Sequence, residues 1–336
     1  MTCHHLEPVR RRSAAPALTT TGLTIYGCGP DEAALFREAA PRFGVRPTIT
    51  DAPVSEGNVG LARGSTCVSV GHAARVTRPT LRALARAGVR HLSTRSVGCD
   101  HVDIEHARSL GITVVPIAYS PDSVADYTVL LILMLLRDAK PMVRRTDLHD
   151  YGLGRLGTEL RDLTVGVVGA GRIGSAVTTR LRGFGCRTLT HDRRHDAVDG
   201  VPLDDLLEHS DLVTLHVPLT SRTHHLLDPE RIGRLRPGGY VVNTGRGALL
   251  DTEALLAALE SGRLAGAALD VLEGEEGAFH ADRRGALVDP VLSRLQQLPN
   301  VVVSPHRAYY TGHALRDLVH NTLASCVAST TEARHG

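Results

Sequence analysis

Lysine is all but missing from this 336-residue chain: of its 38 cationic side chains, every one but Lys140 is an arginine. The skew reads as a compositional bias, not as a functional signal. Charge of one sign is not in excess either. The formal net charge is +2 with histidine neutral, so no bulk field recruits nucleic acid or an anionic membrane, and neither is expected as a partner. Paired cysteines are absent. Cys3, Cys28, Cys67, Cys99, Cys186 and Cys326 are scattered with no C-x-x-C spacing, which excludes a disulfide framework and a cysteine-built zinc site. No metal site is expected, and reduced thiols suit a cytoplasmic location. Long apolar runs are missing as well. The longest, Val129 to Leu136, is far too short to span a bilayer. Residues 1–22 hold Arg10, Arg11 and Arg12 ahead of small residues and threonines; with no apolar stretch of signal-peptide length, they read as a disordered extension. What is present is 42% apolar and 22% charged residues, the balance of a globular chain long enough for two domains.

Residues 163–192 carry the strongest signal. Leu163 to Val168 is apolar and β-branched, as a buried parallel strand is. Gly169-Ala170-Gly171-Arg172-Ile173-Gly174 then spells G-x-G-x-x-G at its carboxyl end. In such a turn Gly169 permits the tight bend, Gly171 admits a pyrophosphate to the backbone, and Gly174 lets the next helix pack on the strand. The helix N-terminus offers free N–H groups and a positive dipole end to the phosphates. Asp192 ends the second strand about 20 residues on, where a carboxylate holds ribose hydroxyls. The segment predicts a dinucleotide site.

Strand-like and helix-like stretches alternate through the rest, which predicts parallel sheets. Leu23–Gly27, Thr48–Thr50, Cys67–Val70, His91–Thr94 and Ile112–Pro116 read as strands of a first unit. Leu163–Val168, Arg187–Thr190, Leu212–His216, Tyr240–Asn243, Ala267–Val271 and Val301–Ser304 read as six strands of a second. The expected fold is α/β: two Rossmann-like, doubly wound parallel-sheet domains with the active-site cleft between them. The expected division is 23–118 plus 308–336 for a discontinuous substrate domain, because the last helix, Thr311 to Thr330, returns to it. The dinucleotide-binding domain is 119–307. The stretch Asp122 to Arg137 is apolar nearly all round and must be buried, either in a subunit interface or in the core of its own subunit.

Ligands bind at the carboxyl ends of strands in such sheets. Four consecutive strand ends place Arg246, Asp270, Glu275 and His306 along one rim. Reduction of a 2-oxo acid needs a cation for the carboxylate, a proton donor for the carbonyl oxygen and a hydride from a nicotinamide. Arginine clamps a carboxylate with a planar fork. A histidine paired with a carboxylate stays protonated to higher pH and serves as a general acid.

The motifs GAGRIG, LHVPL, NTGRGALLDTEAL, AALDVLEGEE and SPHRAYYT make the chain resemble the D-isomer-specific 2-hydroxyacid dehydrogenases from about Leu23 to the last helix. STRSVGCDHVD, AYSPDSVADYT, RLRGFGC, LDVLEGEEGAF and HRAYYTGHALRD are most similar to the D-lactate dehydrogenases, and among those to the VanH type of glycopeptide-resistance clusters. The resemblance implies that Arg246 binds and polarises the 2-oxo acid, that His306 donates the proton and that Glu275 pairs with it. It implies that Val97 and Gly98 hold the substrate carboxylate and that Tyr119 borders the substrate. It assigns cofactor contacts to Arg172, Ile173, Asp192, Val217, Pro218, Thr223, Thr244 and Asp270, beside the turn glycines Gly169, Gly171, Gly174 and Gly245. A homodimer through the helix at 122–137 is implied too. The implied reaction is reduction of pyruvate to D-lactate with NAD(H), the product feeding a D-Ala–D-Lac cell-wall precursor. A relative acting on hydroxypyruvate or a branched 2-oxo acid is the alternative, and a non-catalytic, NAD-sensing corepressor-like module is another. Two places depart from close relatives. Arg307 follows His306 where threonine is usual, and a cation there opposes protonation of the histidine. Asp192 repels a 2′-phosphate and points to NADH, but Arg193 and Arg194 offer that phosphate a place, so NADP(H) stays open.

Overall fold

The computed structural model describes residues 21–193, 200–275, 279 and 289–335. Arg194, Glu276, Gly277 and Ala278, and the stretch before Thr21, lie outside the described residues. Of the extension expected over 1–22, only Thr21 and Gly22 are among the described residues. Thr21 and Gly22 already belong to the first strand, because Thr21 N–H donates to Gly44 O at 3.0 Å and both residues pair with the next strand.

Two parallel sheets form, as the alternation predicts. The first comprises β1 (Thr21–Ile25), β2 (Val45–Ile49), β3 (Cys67–Val70), β4 (His91–Thr94) and β5 (Thr113–Pro116), in spatial order β2-β1-β3-β4-β5. Helices α1 (Pro30–Ala39), α2 (Arg78–Arg86) and α3 (Ile104–Ser109) connect them. Two further helices, α4 (Asp122–Leu136) and α5 (Ala139–Asp147), lead to the second sheet. That sheet comprises β6 (Thr164–Val168), β7 (Arg187–His191), β8 (Leu212–Leu215), β9 (Gly239–Asn243), β10 (Leu264–Leu269) and β11 (Val301–Val303), in the order β11-β10-β9-β8-β6-β7. Its helices are α6 (Arg172–Gly183), α7 (Leu203–His209), α8 (Pro229–Arg234), α9 (Thr252–Glu260) and α10 (Pro290–Gln297). The strand order reverses between β6 and β8, directly beside the glycine turn, which is where an open α/β sheet binds its ligand.

Local sequence explains the close packing. Gly166 in β6 faces α7 so tightly that a Cβ there would lie 2.4 Å from Leu206 Cδ2. Val165 and Val167 point to the opposite face, into a core with Val177 and Leu181 of α6 and Ile132 and Leu136 of α4. Helix α4 therefore covers its own second sheet: of the two burials the sequence allows, the intramolecular one takes most of its apolar surface. The last helix, α11 (Gly312–His335), packs Val319, Leu323 and Cys326 against Leu23 and Ile25 of β1 and Phe36 of α1. Cys28, Cys67, Cys99, Cys186 and Cys326 are free thiols. No helix among the described residues is long and apolar enough to cross a membrane.

Candidate active site

The glycine turn has the geometry a pyrophosphate needs. Gly169 has φ +102°, a conformation that penalises any Cβ, and a Cβ there would lie 2.6 Å from His216 O. A Cβ on Gly174 would sit 1.8 Å from Gly169 O, so only glycine lets α6 start this close to the turn. Gly171 caps α6 in extended conformation with no side-chain hydrogen bond, which leaves the helix N-terminus to meet an anion with its backbone N–H groups. Asp192 follows β7 and accepts from Ala170 N–H at 2.8 Å, fixing the turn against the strand that carries the carboxylate. Arg193 beside it is exposed. The residues present thus fit a dinucleotide. Arg172 reaches across to donate to Tyr119 O at 3.0 Å, linking the cofactor turn to the segment after β5.

His306, the expected proton donor, lies on the turn after β11. His306 sits at φ +49°, an uncommon backbone conformation for a residue with a Cβ. Asp270, fully buried at the end of β10, holds it there. Its carbonyl accepts from His306 N–H at 2.7 Å. Its carboxylate accepts from Ser304 Oγ at 2.6 Å, Arg307 N–H at 3.0 Å and Ala308 N–H at 2.8 Å. Glu275 Oε1 lies 2.5 Å from His306 Nδ1, and Glu275 Oε2 accepts from Leu272 N–H at 2.7 Å. A strained residue held by several hydrogen bonds at a cleft is a functional arrangement. The Arg307 side chain is exposed.

Arg246 follows β9 in a turn latched by buried Asn243, whose Nδ2 donates to Arg246 O at 2.8 Å and whose Oδ1 accepts from Gly245 N–H at 3.0 Å. The guanidinium extends to the first sheet, where Nε donates to Asp100 Oδ1 at 2.9 Å. Burial alone would raise the Asp100 carboxyl, but the Arg246 charge and hydrogen bond outweigh it and hold the group below the usual carboxylate range. A Cβ on Gly98 would meet Arg246 Nη2 at 2.1 Å, so Gly98 is the residue that lets the cation lie against the Val97–Gly98 backbone. The N–H groups of Val97 and Gly98 donate to no acceptor among the described residues. Burial pushes His101 down to about 4, which keeps a second cation away from Arg246.

One cavity of about 690 Å³ receives Val97, Gly98 and Tyr119 from one side and Gly171, Arg172, Ile173, Val217, Pro218, Thr244, Gly245, Arg246, Asp270 and His306 from the other. Glu275 joins it through His306. Gly169, Gly174 and Asp192 shape the cofactor turn without lining that cavity. Thr223 is buried, donating to Pro218 O at 2.7 Å and accepting from Thr220 N–H at 2.8 Å, so it shapes the loop that presents Pro218. Asp270 likewise spends both carboxylate oxygens on the His306 turn. Thr244 Oγ1 meets Thr128 Oγ1 of α4 at 2.9 Å.

Four residues escape the sequence reading. Asp100 and Asn243 position Arg246. The His72 ring lies tilted at 47° against that of His306, with centroids 4.4 Å apart. Arg95, almost fully buried, donates to Tyr26 O, Gly27 O and Ser69 Oγ at 2.7–3.1 Å and ties the floor of the first sheet to the cleft. Asn243 and Asp100 stand inside motifs already singled out, so a buried amide after a strand and an acid two residues past S-V-G were the available signals.

Comparison with known proteins agrees with this geometry. A profile of the D-isomer specific 2-hydroxyacid dehydrogenase NAD binding domain matches residues 129–308. A D-specific alpha-keto acid dehydrogenase of Enterococcus faecium is 51% identical over 313 residues, spanning 92% of this chain and 97% of that protein. D-Lactate dehydrogenase from Aquifex aeolicus, solved with NAD and lactic acid, superposes with a TM-score of 0.82 at 31% identity, over 93% of this chain and 96% of that one. D-2-Hydroxyisocaproate dehydrogenase gives the same TM-score and identity over 93% and 98%. With the NAD-binding turn, the acid pair and the arginine assembled on one cleft, this chain belongs to the D-isomer specific 2-hydroxyacid dehydrogenases, NAD-dependent oxidoreductases.

Proposed function

We propose that the chain reduces pyruvate to D-lactate with NADH in the cytoplasm, and that the D-lactate supplies D-Ala–D-Lac peptidoglycan precursors of glycopeptide resistance. The observation that carries the chemistry is the convergence of the His306–Glu275 pair, Arg246 and the uncapped N-terminus of α6 on one cavity. The substrate carboxylate lies against Arg246 and the Val97 and Gly98 N–H groups. Arg246 also polarises the carbonyl. Bound nicotinamide supplies the hydride. His306, with Nδ1 held by Glu275, gives its Nε2 proton to the carbonyl oxygen as the C=O bond becomes C–OH, and is reprotonated from solvent. Tyr119 borders the site, its hydroxyl pushed up to about 12 by burial and so neutral throughout. Asp192 favours NADH over NADPH by repelling a 2′-phosphate. The Aquifex relative solved with lactic acid and the enterococcal D-specific relative support this substrate.

NADH oxidation with pyruvate, followed by chiral analysis of the product, tests it. D-Lactate as sole product is expected. His306→Asn is expected to lower kcat by roughly 10²–10⁴, the usual yield of general acid catalysis, with NADH affinity retained. Absence of turnover on pyruvate overturns the D-lactate reading. One observation favours a bulkier 2-oxo acid as second reading. A cavity of about 990 Å³, lined by Gly27, Cys28, Gly71, Ala73 and Tyr309, opens past His72 and His306 and far exceeds a methyl group. A higher kcat/KM for a branched 2-oxo acid than for pyruvate would establish it.

A further inference from the structure

The cysteine spacing predicts no metal site. The fold brings together a different set. His224 and His225 follow the Thr220 turn, and Glu273 follows β10, 48 residues after His225. One ligand atom from each lies within 4.8 Å of the others, the one such group among the described residues. The imidazoles lie at 31° to each other with centroids 4.1 Å apart. His225 Nε2 is 2.9 and 3.1 Å from the two Glu273 oxygens, and His224 Nε2 is 3.6 Å from Oε1. We propose that His224, His225 and Glu273 form a binding site for a divalent cation of the zinc class (Zn²⁺, Co²⁺, Ni²⁺).

Two neutral imidazoles and one carboxylate are the donor set such ions take, with the remaining positions left to water. Hard oxygen-seeking ions such as Mg²⁺ and Ca²⁺ fit it poorly. The group beyond the ligands fits too. The other nitrogen of His225, Nδ1, faces Asp251 Oδ2 at 3.8 Å, and a carboxylate behind a ligating histidine orients the ring and raises its basicity. Asp251 is fixed for this: its Oδ1 accepts from Ala254 N–H at the start of α9.

The backbone holds the ligands before any ion arrives. His225 N–H donates to Ala248 O at 2.8 Å, Leu227 N–H to Leu249 O at 3.0 Å and Asp251 N–H to Leu227 O at 3.0 Å, so the segments carrying His225 and Asp251 are zipped together. His225 has φ +47°, which turns its side chain toward Glu273. Gly247 packs so closely on the Leu272–Glu273 peptide that a Cβ would lie 1.9 Å from Leu272 C, which fixes the third segment on the first two. His224 is about half exposed, so an ion reaches the site from solvent. Glu273 stands two residues before Glu275, whose carboxylate accepts from Leu272 N–H. An ion here braces the turn that carries the partner of His306.

Isothermal titration of tag-free, full-length protein with ZnCl₂ in a non-chelating buffer tests the proposal, with Co²⁺ absorption as second readout. One site of micromolar affinity is expected, with Co²⁺ bands free of thiolate charge transfer. Glu273→Gln and His225→Asn are each expected to weaken it at least tenfold; asparagine tolerates the positive φ. Far-UV circular dichroism and NADH affinity should match wild type in both. An isotherm unchanged in both variants, or thiolate charge transfer in the Co²⁺ spectrum, would place the ion on Cys3, His4 and His5 or on another thiol and overturn the proposal. So would the absence of micromolar binding.

Discussion

Asp100 holds the side chain on which the proposed reaction depends. Its carboxylate fixes Arg246 Nε, so Asp100→Asn removes a charge-assisted hydrogen bond and lets the guanidinium swing. The expected result in steady-state kinetics is KM for the 2-oxo acid raised about tenfold, roughly 1.4 kcal/mol, with kcat changed less and NADH affinity unchanged. His216 makes a prediction about pH. Burial pushes it down to about 4; its Nε2 meets Thr214 Oγ1 at 3.0 Å, and its Nδ1 is buried with no partner among the described residues. The unfolded chain therefore binds a proton between about pH 6.5 and 4 that the folded chain refuses. Stability contributed by neutral His216 is present above pH 6.5 and lost as pH falls toward 4, by about 2–3 kcal/mol. Urea melts across that window should show it, and His216→Gln should flatten the slope. These roles were hidden in the sequence for a physical reason. Arg246 and Asp100 are 146 residues apart; the acid two residues past S-V-G is visible in the sequence, but its partner is named only by the fold. Arg246, His306 and Glu275 were legible because the chemistry itself demands a cation, an acid and its partner at strand ends.

At the scale of elements, the strand–turn–helix unit over β6 and α6 was readable because its spacing is local: Gly174 answers to the Gly169 carbonyl five residues before it. Gly174→Ala puts a methyl group on Gly169 O, and a backbone clash of that size cannot relax without moving α6. The expected result is loss of NADH binding by at least tenfold in a fluorescence titration, with a lowered melting temperature. Helix α4 was the opposite case. A segment apolar on every side announces burial but not its partner, and only the tertiary structure shows the second sheet and α6 on it. The lone lysine belongs to this scale also. Lys140 Nζ donates to Gln296 O, Leu298 O and Val301 O at 2.6–3.0 Å, closing the carbonyl end of α10 and the start of β11. Lys140→Ala leaves these carbonyls without their cation, and a loss of about 1–3 kcal/mol is expected in denaturant melts.

The whole molecule presents an apolar surface that its own core does not use. Leu130 of α4 is 48% exposed, and Leu148, Tyr151, Leu153 and Leu156 after α5 are 74–99% exposed. Exposed apolar side chains in such number over one short segment are the kind that mark an association surface. In the homodimer expected through the helix at 122–137, these side chains would extend the contact. A dimer is expected by light scattering, and Leu153→Asp with Leu156→Asp should yield a monomer.

The return of α11 to the first sheet has a consequence for synthesis. β1 and α1 leave the ribosome early, yet Val319, Leu323 and Cys326, which cover Leu23, Ile25 and Phe36, emerge only after the whole second sheet. At about 5–20 residues per second the wait is on the order of 10–50 s. The second sheet and its helices come from one continuous stretch and can complete first. The nascent chain thus carries an uncovered apolar face through most of translation, and a chaperone that binds such faces should be found on ribosome-stalled chains ending before residue 312, then released from longer ones.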